Sequence, residues 1–382
     1  MTDIVEKDVL IVGGEHYNTL GLIRSLGERG IGVNLILATK GKSHIVKSKY
    51  IKNIWLTDID ERSILNTMNS ISDKYKGKLI VFPSSDQAMQ ILDENYKLLS
   101  QKFIISNIKQ IEGQITHLMN KKNMNSIANE SGLNIPKSLE IDLLVDKQYL
   151  DDLISPKISY PIILKPLNSN FGKKEDIVVC NSYNEFKTSI DKLSDRYNKI
   201  LAQEYIHGSD QLMIEIIGCS SNDGTSIVIP GIIEKIREYP SNAGSTSYAK
   251  IVRESRFIDI NLVESFIKKI EYNGIFDIEF KYANGKAYFI EINFRNGAPG
   301  YAVTKAGVNI PYIWLSNIHD RNSNEPTKIQ KDIYLMSELR DVRHVINREV
   351  RLSQWVRDIF RTNAFLYFNK NDIKPFISKV LG

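Results

Sequence analysis

Short apolar runs alternating with helical periodicity open the chain. Asp8–Val12 predicts a strand ending in Gly13-Gly14, and Leu20, Ile23, Arg24 and Leu26 ahead of Gly30 predict a helix. Val33–Leu37 and Leu79–Phe82 predict further strands, the latter closed by Pro83-Ser84-Ser85-Asp86 before a helix from about Gln87 to Leu99. Strands alternating with helices predict a parallel α/β domain, whose ligands collect at the carboxyl ends of its strands. The pattern then changes. Residues 120–134 predict a helix stopped near Gly132 and Pro136; Tyr160–Pro166, Ile200–Tyr205, Leu212–Ile217 and Ile227–Ile233 predict strands; Asn261–Tyr272 predicts an amphipathic helix. Tyr239–Tyr248, with Pro240, Asn242, Gly244, Ser245 and Thr246, predicts a loop facing a ligand. Pro299–Leu315 predicts a turn and an apolar helix, and residues from about 320 onward a mixed segment packing back on the core.

Between these lies Gly274–Gly297, two strands meeting at Asn284-Gly285. Alternation puts Asp277 and Glu279 on one face of the first strand, and Glu291, Asn293 and Arg295 on one face of the second. A two-residue turn would pair 279 with 290 and separate the two glutamates. A three-residue loop, Ala283-Asn284-Gly285 with a left-handed bulge at Gly285, would pair 279 with 289 and 277 with 291 and gather the polar groups. The three-residue loop is expected, because these groups suit divalent cations bound to phosphates better than a buried apolar face. A solvated face of mixed charge reads equally well from these residues alone.

Composition narrows the setting. The 382 residues exceed one ordinary core, and 42% hydrophobic with 25% charged residues is a globular balance. The formal charge of +5, from 50 basic and 45 acidic residues, is dispersed and gives no case for nucleic acid. Two cysteines, Cys180 and Cys219, offer neither a disulfide framework nor a zinc site. Asp3, Glu6, Lys7 and Asp8 interrupt any leader-like apolar run, and no run reaches the roughly 18 residues that span a bilayer. The expectation is a cytoplasmic, soluble protein without a membrane partner.

Several polar positions then stand out. Lys121 and Lys122 begin a helix, where the dipole already favours anions. Lys165 ends an apolar strand, where burial without a partner is costly, and Asn168–Lys174 is a small polar glycine-containing stretch able to cover phosphates. Asp210 follows a strand, a histidine and a glycine, in reach of a ribose or in a plain turn. Ser84, Ser85 and Asp86 face a substrate or cap a helix. A dinucleotide site is disfavoured: Gly-Gly-Glu-His-Tyr-Asn is not GxGxxG, and Ala38-Thr39-Lys40 lacks the ribose-binding acid.

In this order, residues 8–317 resemble the ATP-grasp superfamily. The metal stretch of that family has Glu-Phe and, twelve residues after the glutamate, Glu-x-Asn-x-Arg; Glu279-Phe280 and Glu291-Ile292-Asn293-Phe294-Arg295 fit it. The resemblance implies a Rossmann-like N-terminal domain (1–115), a small ATP-grasp lobe (116–205), a large lobe with the metal site (206–320) and a C-terminal segment (321–382). It further implies that Lys121 or Lys122 and Lys165 contact ATP, that Asn168, Ser169, Phe171 and Gly172 cover the phosphates, and that Glu204, Tyr205 and Ile206 read adenine. Asp210 would hold the ribose, replacing the usual glutamate. Glu279, Glu291 and Asn293 would bind Mg²⁺, for which Mn²⁺ can substitute, and Arg295, with Lys165, would act in catalysis. Phe82–Asp86 and Ala306–Pro311 are similar to the D-aspartate-ligase-like and amino-acid-ligase branch. What this implies is an ADP-forming ligase that joins a carboxylate to an amine through an acyl phosphate, with amino acids or small peptides as partners. Ser84, Ser85, Asp86, Arg237, Ser245 and Thr246 would face the substrate, and a homodimer is conceivable by analogy with relatives. The rivals are a bicarbonate-activating carboxylase and a nucleotide-binding regulator without turnover.

Overall fold

A computed structural model of the chain describes residues 9–58, 60–144, 157–167, 176–208, 212–241, 244–319 and 323–382. Three sheets organise them. The first is fully parallel, with β1 (Val9–Gly14), β2 (Val33–Ala38), β3 (Ile51–Thr57), β4 (Leu79–Pro83) and β5 (Phe103–Ile104) in the order β3-β2-β1-β4-β5. Every residue of β2 is buried, as is all but the last of β1, which explains their unbroken apolar runs. The order reverses between β1 and β4, so their carboxyl ends open a crevice that holds His16 and Ser84–Asp86.

After a short strand β6 (Asn107–Ile108), β7 (Ser138–Asp142), β8 (Ile162–Pro166), β9 (Val178–Cys180) and β10 (Lys199–Glu204) form an antiparallel sheet in the order β7-β10-β8-β9. It has its own small core, in which Phe186 and Ile190 of the helix Tyr183–Ser194 pack with Leu164 and Ile200. The third sheet contains β11 (Leu212–Ser221), β12 (Ser226–Val228), β13 (Ile232–Tyr239), β14 (Ser245–Val252), β15 (Tyr272–Ala283), β16 (Lys286–Asn293), β17 (Ile333–Met336) and β18 (Ala364–Phe365). Its main path runs β16-β15-β11-β13-β14-β17-β18, with β12 paired to β11 and β6 to β15. Its apolar face shares core clusters with the parallel sheet: Leu10, Val12 and Val81 pack in one cluster with Phe276, Ile278 and Phe280.

Two expectations are corrected. Tyr239–Tyr248 is not a loop throughout: β13 runs to Tyr239 and β14 begins at Ser245, so strands take up both ends of the stretch. Pro240 and Gly244 mark that tip, while Ser245–Tyr248 are strand residues whose neighbours in the sheet override their polar composition.

The second correction concerns β15 and β16. Their turn has two residues, since Ala283 pairs with Lys286, and both Asn284 (φ 53) and Gly285 (φ 76) are left-handed, as the Asn-Gly signal favours. A two-residue turn alone would set Ile290 opposite Glu279. Instead the register slips between Glu279 and Phe280: Phe280 pairs with Phe289, but Glu279 pairs with Glu291 and Asp277 with Asn293. Ile290 is therefore the extra residue of a β-bulge. The polar groups share a face, through a bulge inside the strand and not through a longer turn.

Candidate active site

A cavity of about 1080 Å³ lies between the four-stranded sheet, the nine-stranded sheet and the carboxyl ends of the parallel strands. One bank is the bulged hairpin and its neighbours. Glu215 on β11 pairs directly with Glu279, so Glu291, Glu279 and Glu215 form a row across three strands. Oxygens of Glu215, Asp277 and Glu279 all lie within 4.8 Å of one another. Lys235 Nζ donates to Glu279 Oε2 at 2.8 Å and lies 3.6 Å from Glu215 Oε2, while Thr246 Oγ1 donates to the same Glu215 oxygen at 2.9 Å.

Charge is concentrated on this bank. Burial pushes the Asp277 carboxyl well above its ordinary range, and Glu215 and Glu279 push it further. Burial also raises Glu215, against the pull of Lys235. Burial opposes the charge of Lys235, yet Glu279 and Glu215 hold that ammonium above its usual range. The residues fit a divalent cation. Asp277 Oδ1 is buried and accepts no hydrogen bond, and the donor set is all oxygen, the chemistry of Mg²⁺ or Mn²⁺. Of the expected ligands, Glu279 belongs to the cluster. Glu291 and Asn293 stand across the ladder and line the cavity, and Asn293 Nδ2 lies 3.4 Å from Asp277 Oδ2.

Glu215 and Lys235 were missed from sequence, and Asp277 was placed on the polar face but not among the ligands. A signal for Glu215 existed: it is the lone acid in an apolar strand, the same anomaly that marks Lys165.

The opposite bank is built on β8 and β10. Lys165 is buried and donates to the amide oxygen of Gln203 at 2.7 Å. Burial, and then the nearby Lys121, lower its ammonium to about 8. Lys121 is the first residue of the helix Lys121–Glu130, is buried and lines the cavity. Lys122 points elsewhere: it is exposed and pairs with Glu140 at 3.0 Å. Glu204, Tyr205 and Ile206 line the same end; the Glu204 amide donates to Lys137 O and the Tyr205 amide to Pro161 O. Asn168, Ser169, Phe171, Gly172 and Asp210 lie outside the described residues.

At the crevice of the parallel sheet, Arg295 joins the banks. Its Nε and Nη2 donate to Asp86 at 2.9 and 3.2 Å, and Nη1 lies 3.5 Å from Asp277. Burial opposes its charge, but Asp86 and Asp277 hold it above the ordinary range. Ser85 caps the helix Asp86–Glu94, and Ser84 Oγ shares a hydrogen bond with Thr19 Oγ1, so both serines have structural work besides lining the cavity. Arg237 donates twice to Asp341 and once to Asp358, which anchors the C-terminal segment under the cavity. Ser245 lines the wall beside Thr246.

Three sheets in this order, with lysines facing a carboxylate row and an arginine at the parallel-sheet crevice, have the layout of the ATP-grasp fold. A family model described as "ATP-grasp in the biosynthetic pathway with Ter operon" matches residues 232–341. Several proteins to which the chain is similar are named as ligases or synthetases. D-aspartate ligase from Enterococcus faecium (strain Aus0004) is 23% identical over 323 residues, covering 80% of this chain and 75% of that protein. The structure of L-amino acid ligase from Bacillus licheniformis aligns with a TM-score of 0.63 at 16% identity, covering 86% of this chain and 79% of that one. N5-carboxyaminoimidazole synthetase from Staphylococcus aureus aligns at 0.64 and 14% identity, over 91% and 88%. Among the described residues no helix is long and apolar enough to cross a membrane.

Proposed function

We propose that this chain is an ATP-dependent ligase that joins the carboxylate of one amino acid or small peptide to the amine of another. The observation that carries this reading is the opposition of Lys165 and Lys121 to the carboxylate row across one cavity, with Arg295 at its edge. The names of two relatives, D-aspartate ligase and L-amino acid ligase, support the substrate class.

Lys165 and Lys121 would hold the phosphates of ATP. The Glu204 amide is already engaged with Lys137 O, which leaves the Ile206 amide to donate to the adenine. Glu215, Asp277, Glu279 and Glu291 would hold Mg²⁺, which when bound neutralises both the carboxylate face and the phosphates. A substrate carboxylate oxygen attacks the γ-phosphorus, the bond to the β-bridging oxygen breaks, and ADP departs. The acceptor nitrogen then attacks the acyl carbon and loses a proton as the C–O bond to phosphate breaks, releasing phosphate and leaving an amide. Arg295, held by Asp86, would donate to the oxyanion of that second step.

The test is to incubate the protein with ATP, Mg²⁺ and pairs of amino acids, measuring ADP, phosphate and product mass. ADP formation that requires both partners and yields a mass one water below their sum is expected. Stimulation by bicarbonate alone, or ATP binding without turnover across a broad panel, would overturn the reading.

A further inference from the structure

One wall of the cavity joins two distant parts of the chain: Ser241 and Gly244 near the tip of the β13–β14 hairpin, and His344, Glu349 and Val350 of the C-terminal segment. Glu349 reaches this wall through a reversal of the backbone. Beyond the helix Glu338–Ile346, Arg348 is left-handed (φ 62), and the Glu349 amide donates back to His344 O at 2.8 Å. Its carboxylate is held by three donors. Oε2 accepts from His344 Nδ1 and, at 3.0 Å, from Ser241 Oγ; Oε1 accepts from Asn347 Nδ2 at 3.3 Å. His344 first, and then Ser241, hold this carboxyl below its ordinary range.

The charges of this wall differ in what they show to the cavity. The Arg237 and His344 side chains are only 10% and 4% exposed, and Arg237 is matched by both Asp341 and Asp358. Glu349 is 41% exposed. The wall thus offers a carboxylate where the sequence alone offered a guanidinium. We propose, on the basis of the ligase reading, that Glu349 is a specificity-determining residue that receives a substrate ammonium other than the reacting nitrogen. A carboxylate has about four acceptor positions, so one held by three donors is both oriented and able to take a further N–H. The same charge repels phosphates and the reacting carboxylate, which are left to the lysine bank and the metal site. Reach is adequate. Thr246 donates to Glu215 of the carboxylate row at 2.9 Å, and Gly244 lies only two residues, roughly 7 Å, further toward the tip. A substrate of amino-acid or dipeptide size spans that gap.

The test is calorimetric titration of the full chain, with Mg²⁺ and a non-hydrolysable ATP analogue present. The titrants are the common amino acids and the same acids with hydrogen in place of the α-amino group; lysine is also compared with norleucine. At least one ammonium-bearing member of these pairs should bind about tenfold more tightly than its partner. Glu349→Gln should abolish that ratio, leaving the affinity of the partner without the ammonium, and that of the nucleotide, within about twofold. A ratio in the α-amino pairs assigns an α-ammonium to Glu349, and one in the lysine–norleucine pair a side-chain ammonium. A Glu349 that only fastens the hairpin would weaken both members of a pair alike when substituted, and that result would overturn the inference. So would a ratio that survives Glu349→Gln, equal binding of both members by the parent, or no amino-acid binding at all. Turnover is not read in this titration, so a Glu349-dependent ratio without ADP formation from any pair of substrates would uphold the role of Glu349 and overturn the ligase reading instead.

Discussion

Across the cavity, Lys165 and the carboxylate row face each other, and each bank meets the cost of buried charge differently. The row carries its own cations: Lys235 sits between Glu279 and Glu215, and Arg295 reaches both Asp277 and Asp86. Lys165 is held by a neutral amide, Gln203, and responds by shedding affinity for its proton. The carboxylate bank is thus a preformed, cross-braced surface, while Lys165 on the opposite bank rests on a neutral amide. Their cores differ in the same sense. The row stands on the sheet that shares its core with the parallel domain, whereas Lys165 stands on a sheet with a small separate core. Such an arrangement lets the lysine bank close on a nucleotide against a fixed partner.

The contrast can be broken at several points. Glu279→Gln removes the one charge shared by the expected metal site and the Lys235 pair, and should lower ADP formation on the order of 10³-fold with the fold retained. Turnover within a few-fold of the parent at saturating Mg²⁺ would remove Glu279 from the metal site. Glu215→Ala leaves Lys235 buried beside a single remaining partner, and urea denaturation should show a loss of about 3 kcal/mol. An unchanged midpoint would mean that Glu215 takes no part in bracing the row.

On the other bank, Lys165→Ala should weaken ATP binding by about 2 kcal/mol, roughly thirtyfold, as read by calorimetry, with little change in stability. The same lysine sets a pH dependence. Its ammonium is largely charged below about 8 and loses its proton above it, and ATP phosphates favour the charged form. The dissociation constant should therefore stay flat below about pH 8 and rise toward tenfold per pH unit above it, until the pKa of the complex is reached. A flat profile to pH 10 would contradict this role. The smallest effect is expected at Asn284, whose left-handed backbone shapes the turn and whose Nδ2 donates to His207 O beyond β10. Asn284→Ala should cost about 1 kcal/mol of stability, with turnover nearly unchanged; an equal loss of turnover would show that this tie between the banks matters to catalysis.

Much of the site was legible because its chemistry is anomalous in its local setting. Lys165 at the end of an apolar strand, and acids alternating on both sides of Asn284-Gly285, stand out against apolar neighbours. The choice between Lys121 and Lys122 was not legible, since adjacent residues on a helix point about 100° apart and nothing local says which way is inward. The structure turns Lys121 to the cavity and Lys122 to Glu140. Lys235 was hidden for another reason: in Glu234-Lys235-Ile236-Arg237 it looks like the solvated end of a strand, and only the strands on either side bury it.

By itself the sequence determined the parallel domain, through apolar runs that only a doubly covered sheet can bury, and the hairpin, through an Asn-Gly pair that accepts two left-handed residues. It also determined that Glu279 and Glu291 are twelve residues apart. Whether that spacing puts them on one face was decided only by the tertiary structure. The slip at Ile290 sets Phe289 on Phe280 in the core and Glu291 against Glu279 in the cavity. A strand's side chains alternate with a period of two, so one unpaired residue exchanges its faces, and packing from both sides of the sheet fixes where that residue falls.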